Sequence, residues 1–372
     1  MASPHAAGTA ALMLAKGIPA ENVEAIMKAT AKTNMAGYNA SEYGSGLLNP
    51  EGALEYHQPA IVTGAGPGGG PHVRAFNSSG AVEATPANLF AYAETYRGGV
   101  RVATGDIDKD GKDEIITGTG ENGGPHLRVF ESDGSPRGIE FFAFHPDFRG
   151  GMDVASGDFD GDGKDDIAVS QFSKGQAWVK VYRYNNERTI LFENNIFGNV
   201  ECGATVAMGD VDKDGRDELI VGAGSGGGPH IRVYDFNSNS TDGILKPISF
   251  FAFDEKSRTG VDVAAGDVDG DGIAEIGAVQ LKDGQAWTKI YRYNNAHTVL
   301  GNWNAFGAAE VGGNIDIHDI NNDGKADILV GAGKDGGPQV LGFTETGIAT
   351  GLNFFAYSTS FRGGVDMAGG AF

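Results

Sequence analysis

The sequence predicts a mainly β protein: a six-bladed β-propeller whose first and last strands share one blade, preceded by a short helical segment. Three observations carry this. Glycine-rich segments recur along most of the chain, each recurrence contains four short strand patterns, and the two ends of the repeated region are complementary. "IVTGAGPGGGPHVRAF" starts at Ile61, "IITGTGENGGPHLRVF" at Ile115, "LIVGAGSGGGPHIRVY" at Leu219 and "ILVGAGKDGGPQVLGF" at Ile328. Between them stand "IAVSQFSKGQAWVKVYRYNN" from Ile167 and "IGAVQLKDGQAWTKIYRYNN" from Ile276. These are six units of about 52 residues, of two partly alternating kinds, as a duplicated two-unit block leaves behind.

Within one unit the strands read "VRVATGD", "EIITGTG", "HLRVFE" and "IEFFAFH", separated by glycine-rich turns. Apolar Leu127 and Val129 alternate with Arg128 and Phe130, the period of a strand. Radial repetition of four-stranded sheets protects strand edges, which is the propeller solution. The repeats begin with second, third and fourth strands, from Ile61 to about Tyr92. The chain stops with "GGVDMAGGAF", which matches the first-strand segments "GGMDVASGDF" at Gly150 and "TGVDVAAGDV" at Thr259. The last strand therefore completes the first blade.

Composition narrows the function. The 372 residues carry a formal charge of −21, which opposes a nucleic-acid partner and fits bound cations. Hydrophobic residues make up 40%, enough for a packed core, and sixty glycines imply many tight turns. Cys202 is the one cysteine, so no internal disulfide forms, and it reads as a small buried hydrophobe. No run has the length of a membrane span. The N-terminal stretch lacks a basic n-region and is broken by Gly8 and Thr9, so it does not read as a signal peptide.

Residues 1–57 read as a separate segment from the propeller at 58–372. One helix is expected from Pro4 to Lys16, stopped by Gly17, and a second from Pro19 to Ala31. The first is apolar nearly all round, the pattern of a buried helix. Its start, "MASPHAAG", resembles the run that follows the nucleophilic serine of subtilases, the subtilisin-like serine proteases. "YGSGLLNPEGAL", from Tyr43 to Leu54, resembles the run that ends their catalytic domain. The resemblance implies a two-helix remnant of a subtilase α/β domain, from a secreted serine endopeptidase. It places the family's Asp, His and Ser triad before Met1. His5 and Ser3 fall on non-catalytic positions, so the chain itself is expected to be catalytically inactive.

Five loops between first and second strands share the pattern D-x-[DN]-x-D-G-x-x-[DE]. They begin at Asp106, Asp158, Asp210, Asp267 and Asp319. Position 1 is followed by Asp108, Asp160, Asp212, Asp269 and Asn321 at position 3, and by Asp110, Asp162, Asp214, Asp271 and Asp323 at position 5. Position 9 supplies Glu114, Asp166, Glu218, Glu275 and Asp327. Position 7, which offers a carbonyl, is Lys112, Lys164, Arg216, Ile273 and Lys325. A hard cation with six to eight oxygen ligands suits such a set, and calcium suits it better than magnesium, which demands a rigid octahedron. A plain Asp-Gly hairpin is the metal-free reading, but five crowded acidic copies in register argue against it. Five Ca²⁺ would bring the charge from −21 to −11. The last acid at position 9 and the flanking strands exclude an EF-hand.

These repeats resemble the FG-GAP/VCBS repeats of integrin α-like propellers, from residue 58 to the end. The resemblance implies the propeller and calcium, with about five sites. It does not transfer a ligand site: "GAG", "GTG" or "SQF" stands where the family has "GAP", and integrin propellers have seven blades.

Other patterns are weaker. The "GAGPGGGPH" turns join strand to strand, so they fail as phosphate-binding loops. His72, His126 and His230 after these turns are expected to be structural. Arg74, Arg128, Lys180, Arg232 and Lys289 share one strand position and are expected to form inter-blade ion pairs. Trp178 and Trp287 are expected in the core rather than on a sugar site. The functional expectation is a calcium-binding propeller for binding or adhesion, carried by the C-terminal part of a subtilisin-like hydrolase. The alternative is a standalone calcium-dependent adhesion or carbohydrate-binding protein. A protein or polysaccharide ligand, a monomeric state and an extracellular or cell-surface location follow from the resemblance.

Overall fold

The computed structural model describes residues 2–15, 20–32, 39, 45–54, 59–82, 88–184 and 188–372. The chain divides into two compact units, Met1–Gln58 and Pro59–Phe372.

The second unit is a six-bladed propeller of antiparallel sheets. Blade 1 pairs the C-terminal strand Val365–Ala371 with Pro59–Ala65, followed outward by His72–Phe76 and Asn88–Phe90. The expected closure holds, with Val62 opposite Ala368. Blade 2 runs Val100–Gly105, Glu114–Thr119, His126–Phe130 and Pro136–Phe142. Blade 3 starts at Met152–Gly157, blade 4 at Ala204–Gly209, blade 5 at Val261–Gly266 and blade 6 at Gly313–His318. In blade 4 the outer strand is split into Ile244–Leu245 and Phe250–Phe251, both paired to His230–Asp235.

The alternating apolar residues bury between blades, giving one hydrophobic cluster per joint. Val62, Val73, Val102 and Ile115 join blades 1 and 2, for example, and Ile61, Leu329, Val340 and Met367 join blades 6 and 1. Close approach of the sheets explains a repeated glycine: a Cβ on Gly64 would stand 2.3 Å from the Val100 carbonyl oxygen of the next blade. At fixed apolar content, that proximity gives each joint its dispersion contacts.

A second set of joints lies nearer the axis. The second residue of each inner strand reaches the next blade's inner strand. Asp366 accepts the Val102 N–H at 2.8 Å, Asp153 the Val206 N–H at 3.0 Å and Asp262 the Ile315 N–H at 3.0 Å. Thr205 donates to the Val261 carbonyl at 2.8 Å and Asn314 to the Val365 carbonyl at 2.7 Å. Arg101 completes the circle with its Nε 3.5 Å from Asp153 Oδ1.

Several expectations change. Arg74, Arg128, Arg232 and Lys289 do cross between blades, but as donors to backbone carbonyls of the preceding blade: Ala356, Ala91, Ile196 and Ala252. Their carbonyl partners lie just past the outer strands, where no ladder bond remains. The ion pairs, Arg128–Glu140 at 3.0 Å and Lys180–Glu193 at 3.1 Å, stay within one blade. Trp178 and Trp287 are not core residues; they are 37% and 40% exposed, because the first position of the third strand lies at the sheet's end. His72, His126 and His230 occupy that same position and stack on Phe90, Phe142 and Phe251 at 4.6–4.9 Å between ring centroids. Cys202 is buried, and burial pushes its thiol up.

The first unit has helices Ala2–Ala15, Ala20–Ala29 and Pro50–Leu54. Its core is Met13, Val23, Ile26 and Ala53. The first helix is not buried all round: Leu12 is 55% exposed and Leu14 50%. So small a core covers one face of a helix. Lys16, Gly17, Tyr43 and Gly44, which carry part of the sequence reading, lie outside the described residues.

Candidate metal centres

Each acidic loop coils around its first aspartate. Asp106 Oδ1 accepts the N–H groups of Lys109 and Asp110, and Oδ2 that of Gly111 at 2.9 Å. Asp158, Asp210 and Asp267 repeat this set, with Gly163, Gly215 and Gly272 on Oδ2. Asp319 holds Asn321, Asp323 and Gly324. The position 5 carboxylate then accepts the position 7 N–H, as Asp110 does from Lys112 at 2.8 Å. The same bond joins Asp162 to Lys164, Asp214 to Arg216, Asp271 to Ile273 and Asp323 to Lys325. Glycine at position 6 takes a left-handed φ of 80–87°, which its lack of a Cβ permits. Position 4 is left-handed too, at Lys109, Lys213 and Asn322, and glycine relieves it at Gly161 and Gly270.

This coil brings the carboxylates together in four loops. Asp106, Asp108 and Asp110 form one group, Asp158, Asp160 and Asp166 a second, Asp210, Asp212 and Glu218 a third, and Asp267, Asp269 and Asp271 a fourth. In each, ligand atoms lie within 4.8 Å of one another. Asp235 joins Asp214 and Glu218 in a further group, from a third strand that the loop pattern does not include. In the fifth loop no three carboxylates gather among the described residues; Asn321 stands at position 3 and donates to Asp327 at 2.8 Å.

Four of the position 9 acids, Glu114, Asp166, Glu218 and Glu275, are buried. Glu114, Glu218 and Glu275 each accept the N–H of position 2 through Oε2, at 3.0–3.2 Å. Their side chains are 0–1% exposed. Glu218 Oε1, Glu275 Oε1, Asp166 Oδ2 and both Asp160 oxygens are buried without a hydrogen bond. Burial pushes Glu114 and Asp166 up to about 8, and Glu218 and Glu275 to about 7. Asp160 Oδ1 and Asp166 Oδ2 have no ion pair either, and crowded, buried carboxylates in an all-oxygen loop fit a hard divalent cation.

Each of these four loops also holds one basic side chain from beyond the loop in its own blade, and Arg216 within the third pairs with Asp214 at 2.7 Å. Arg137 reaches Asp108, Glu114 and Glu131; Arg183 reaches Asp160 and Asp162. Lys246 lies 2.9 Å from Glu218 and 3.5 Å from Asp235, and it also pairs with Asp212. Arg292 pairs with Asp269, Asp271 and Glu275. The loop with Asn321 has no ion pair among the described residues, and Thr350 stands at the repeat position of Arg137. Basic residues thus accompany the loops with an aspartate at position 3.

The comparisons agree with this geometry. A family model described as FG-GAP-like repeat matches residues 106–169, 158–221 and 210–278. Each match spans two successive acidic loops. Integrin alpha pat-2 of Caenorhabditis elegans is 30% identical over 230 residues, covering 51% of this chain and 18% of the relative. Its Caenorhabditis briggsae counterpart is 29% identical over 230 residues, with the same coverage. The chain thus spans 18% of the length of the curated relatives it matches. Among solved structures, the exotype rhamnogalacturonan lyase YesX aligns at 16% identity and a TM-score of 0.37, over 76% of this chain and 64% of that one. The Dos1 propeller aligns at 12% and 0.36, over 78% and 71%. Residues 106–278 thus match a model of FG-GAP-like repeats, and they lie within a six-bladed propeller.

Proposed function

We propose that the propeller is a calcium-loaded module for binding or adhesion, acting outside the cell or at its surface on a protein ligand. The supporting observation is the gathering of carboxylates in four loops, with Asp160 Oδ1 and Asp166 Oδ2 buried without a hydrogen bond or an ion pair. In this reading positions 1, 3, 5 and 9 of each loop hold the ion, with the carbonyls of Lys112, Lys164, Arg216, Ile273 and Lys325. The ion supplies positive charge that offsets the clustered carboxylates and ties loop to strand. The chain's residues do the rest: Asp106 and its equivalents fix the coil, and Glu114 and its equivalents anchor it to the second strand. Extracellular sites of this chemistry bind at about 10⁻⁴–10⁻³ M. Calorimetric titration of the EDTA-treated chain should give up to five sites, and the calcium-loaded form should bind an immobilised matrix protein that the EDTA form does not. Calcium-independent capture would sink this reading, and capture by polysaccharide alone would replace the protein ligand.

A second reading concerns residues 1–57. "MASPHAAG" and "YGSGLLNPEGAL" support a remnant of a subtilase catalytic domain, and the exposed Leu12 and Leu14 suit a helix that a larger domain covers. The parent would then be a subtilisin-like serine endopeptidase, with the propeller as its binding part. Joining the upstream reading frame to this chain should yield a protein labelled by a serine-directed fluorophosphonate. An upstream frame without Asp, His and Ser motifs ends this reading.

A further inference from the structure

The ring of inner-strand residues holds more negative charge than positive. Arg101, 7% exposed, is its one cation. Its Nη1 lies 2.5 Å from Asp366 Oδ1 and 2.9 Å from Asn314 Oδ1, its Nε 3.5 Å from Asp153 Oδ1, and its guanidinium 4.0 Å from the Phe172 ring centroid. Asp153, Asp262 and Asp366 follow one design: Oδ2 accepts the next blade's N–H and Oδ1 is left for the axis. Arg101 takes Oδ1 of Asp153 and of Asp366. Asp262 sits on blade 5, across the ring from Arg101 on blade 2. Its Oδ1 has no hydrogen bond or ion pair among the described residues, although the residue is only 5% exposed.

That side chain faces a cavity of about 270 Å³. The lining runs from Arg101, Asp153, Asp262 and Asp366 past Asp316 and His318 to Asp113, Asp165 and Asp217, next to the acidic loops. Seven carboxylates and one guanidinium thus share one cavity. A buried carboxylate oxygen left without a donor is costly. Burial holds Asp262 well above the ordinary carboxylate range, with Arg101 opposing, so a nearby cation would restore its charge.

We propose that the central cavity is a binding site for an extended aliphatic polyamine-type cation, with one ammonium group on Asp262 Oδ1 and another toward Asp316 and the Asp113, Asp165 and Asp217 end. Two observations favour a polyamine over a single metal ion. Groups of three carboxylates close enough to share an ion occur in the outer loops but not along this cavity, among the described residues. The volume also far exceeds the ~15 Å³ that admits one water, and so has room for a chain of several atoms. Ammonium groups spaced along a chain match carboxylates spaced along an axis.

The test is calorimetric titration of the calcium-saturated full chain with spermidine at physiological salt. One site per chain is expected, weakened at least tenfold by Asp262→Asn. That substitution keeps an oxygen acceptor for the Ile315 N–H. Asp316→Asn should weaken binding as well, and carries the test if the first variant does not fold. No one-to-one binding overturns the proposal. So does equal spermidine affinity in folded variants, which would place the polyamine on the acidic outer surface. Binding of excess Ca²⁺ or Mg²⁺ that displaces spermidine and is lost equally in Asp262→Asn overturns the polyamine class in favour of a metal.

Discussion

Asp366 Oδ2 accepts the backbone N–H of Val102 at 2.8 Å, while Asp366 Oδ1 pairs with Arg101, so one C-terminal carboxylate ties blade 1 to blade 2 twice. Asp366→Ala should cost about 3–5 kcal/mol, since it breaks a buried pair and leaves Arg101 with Asp153 as its remaining ion-pair partner. Deleting residues 363–372 should go further, exposing the edge of Pro59–Ala65 and causing association on size exclusion. A truncated chain that stays monomeric at full stability would refute the closure.

Calcium removal is expected to act loop by loop. EDTA should lower Tm and Ca²⁺ should restore it by mass action. Asp110→Ala should remove one site from the calorimetric stoichiometry and leave the others. Loss of several sites at once would mean that the loops are coupled rather than local to their blades.

The basic residues should matter most when calcium is absent. Lys246 lies against Glu218 and Asp235. Lys246→Ala should destabilise the EDTA form by about 1–3 kcal/mol, the cost of a buried charge left without its partner. The calcium-loaded form should change less. Equal losses in both forms, read by thermal melts, would show that Lys246 acts through packing alone.

Asp316 predicts a pH dependence. Burial pushes it up to about 7 while its Oδ2 accepts the Gly369 N–H at 2.7 Å; the Asp366 charge nearby adds to the shift. A carboxyl raised in the folded state contributes stability that is present below about 4 and lost as pH rises through about 7. Asp316→Asn should therefore match the parent near pH 4 and exceed it near pH 8, by no more than a few kcal/mol. Melts in saturating calcium hold the loops constant. A parallel offset at both pH values would remove titration as the cause.

Repetition made the propeller readable. Six copies of a segment turn weak strand signals into register, and the first-strand motif at Val365 fixed the closure. The acidic loops were legible for the same reason. The basic partners were not. Arg137 lies in an outer strand and Lys246 just past one, both well beyond their loops, and Arg183 and Arg292 sit in "RYNN" segments that follow third strands. Position 4 was missed because lysine or asparagine there gives no hint of a left-handed φ; Gly161 and Gly270 were the available signal. Trp178 and Trp287 misled because strand alternation says which face a residue takes, not how near the sheet's end it lies.

Each inner strand reaches forward to the next blade, and Arg101 alone also reaches back, to Asp366 and Asn314. A repeat therefore carries both halves of a joint: a side chain to offer and a backbone group to receive. Copying one repeat copies a complete connection, whatever the neighbouring side chain is, since the receiving partner is mostly backbone. A lineage built this way can exchange acid for amide or hydroxyl at the ring, as Asp153, Asn314 and Thr205 do, and alter the charge of the axis without redrawing how the blades meet.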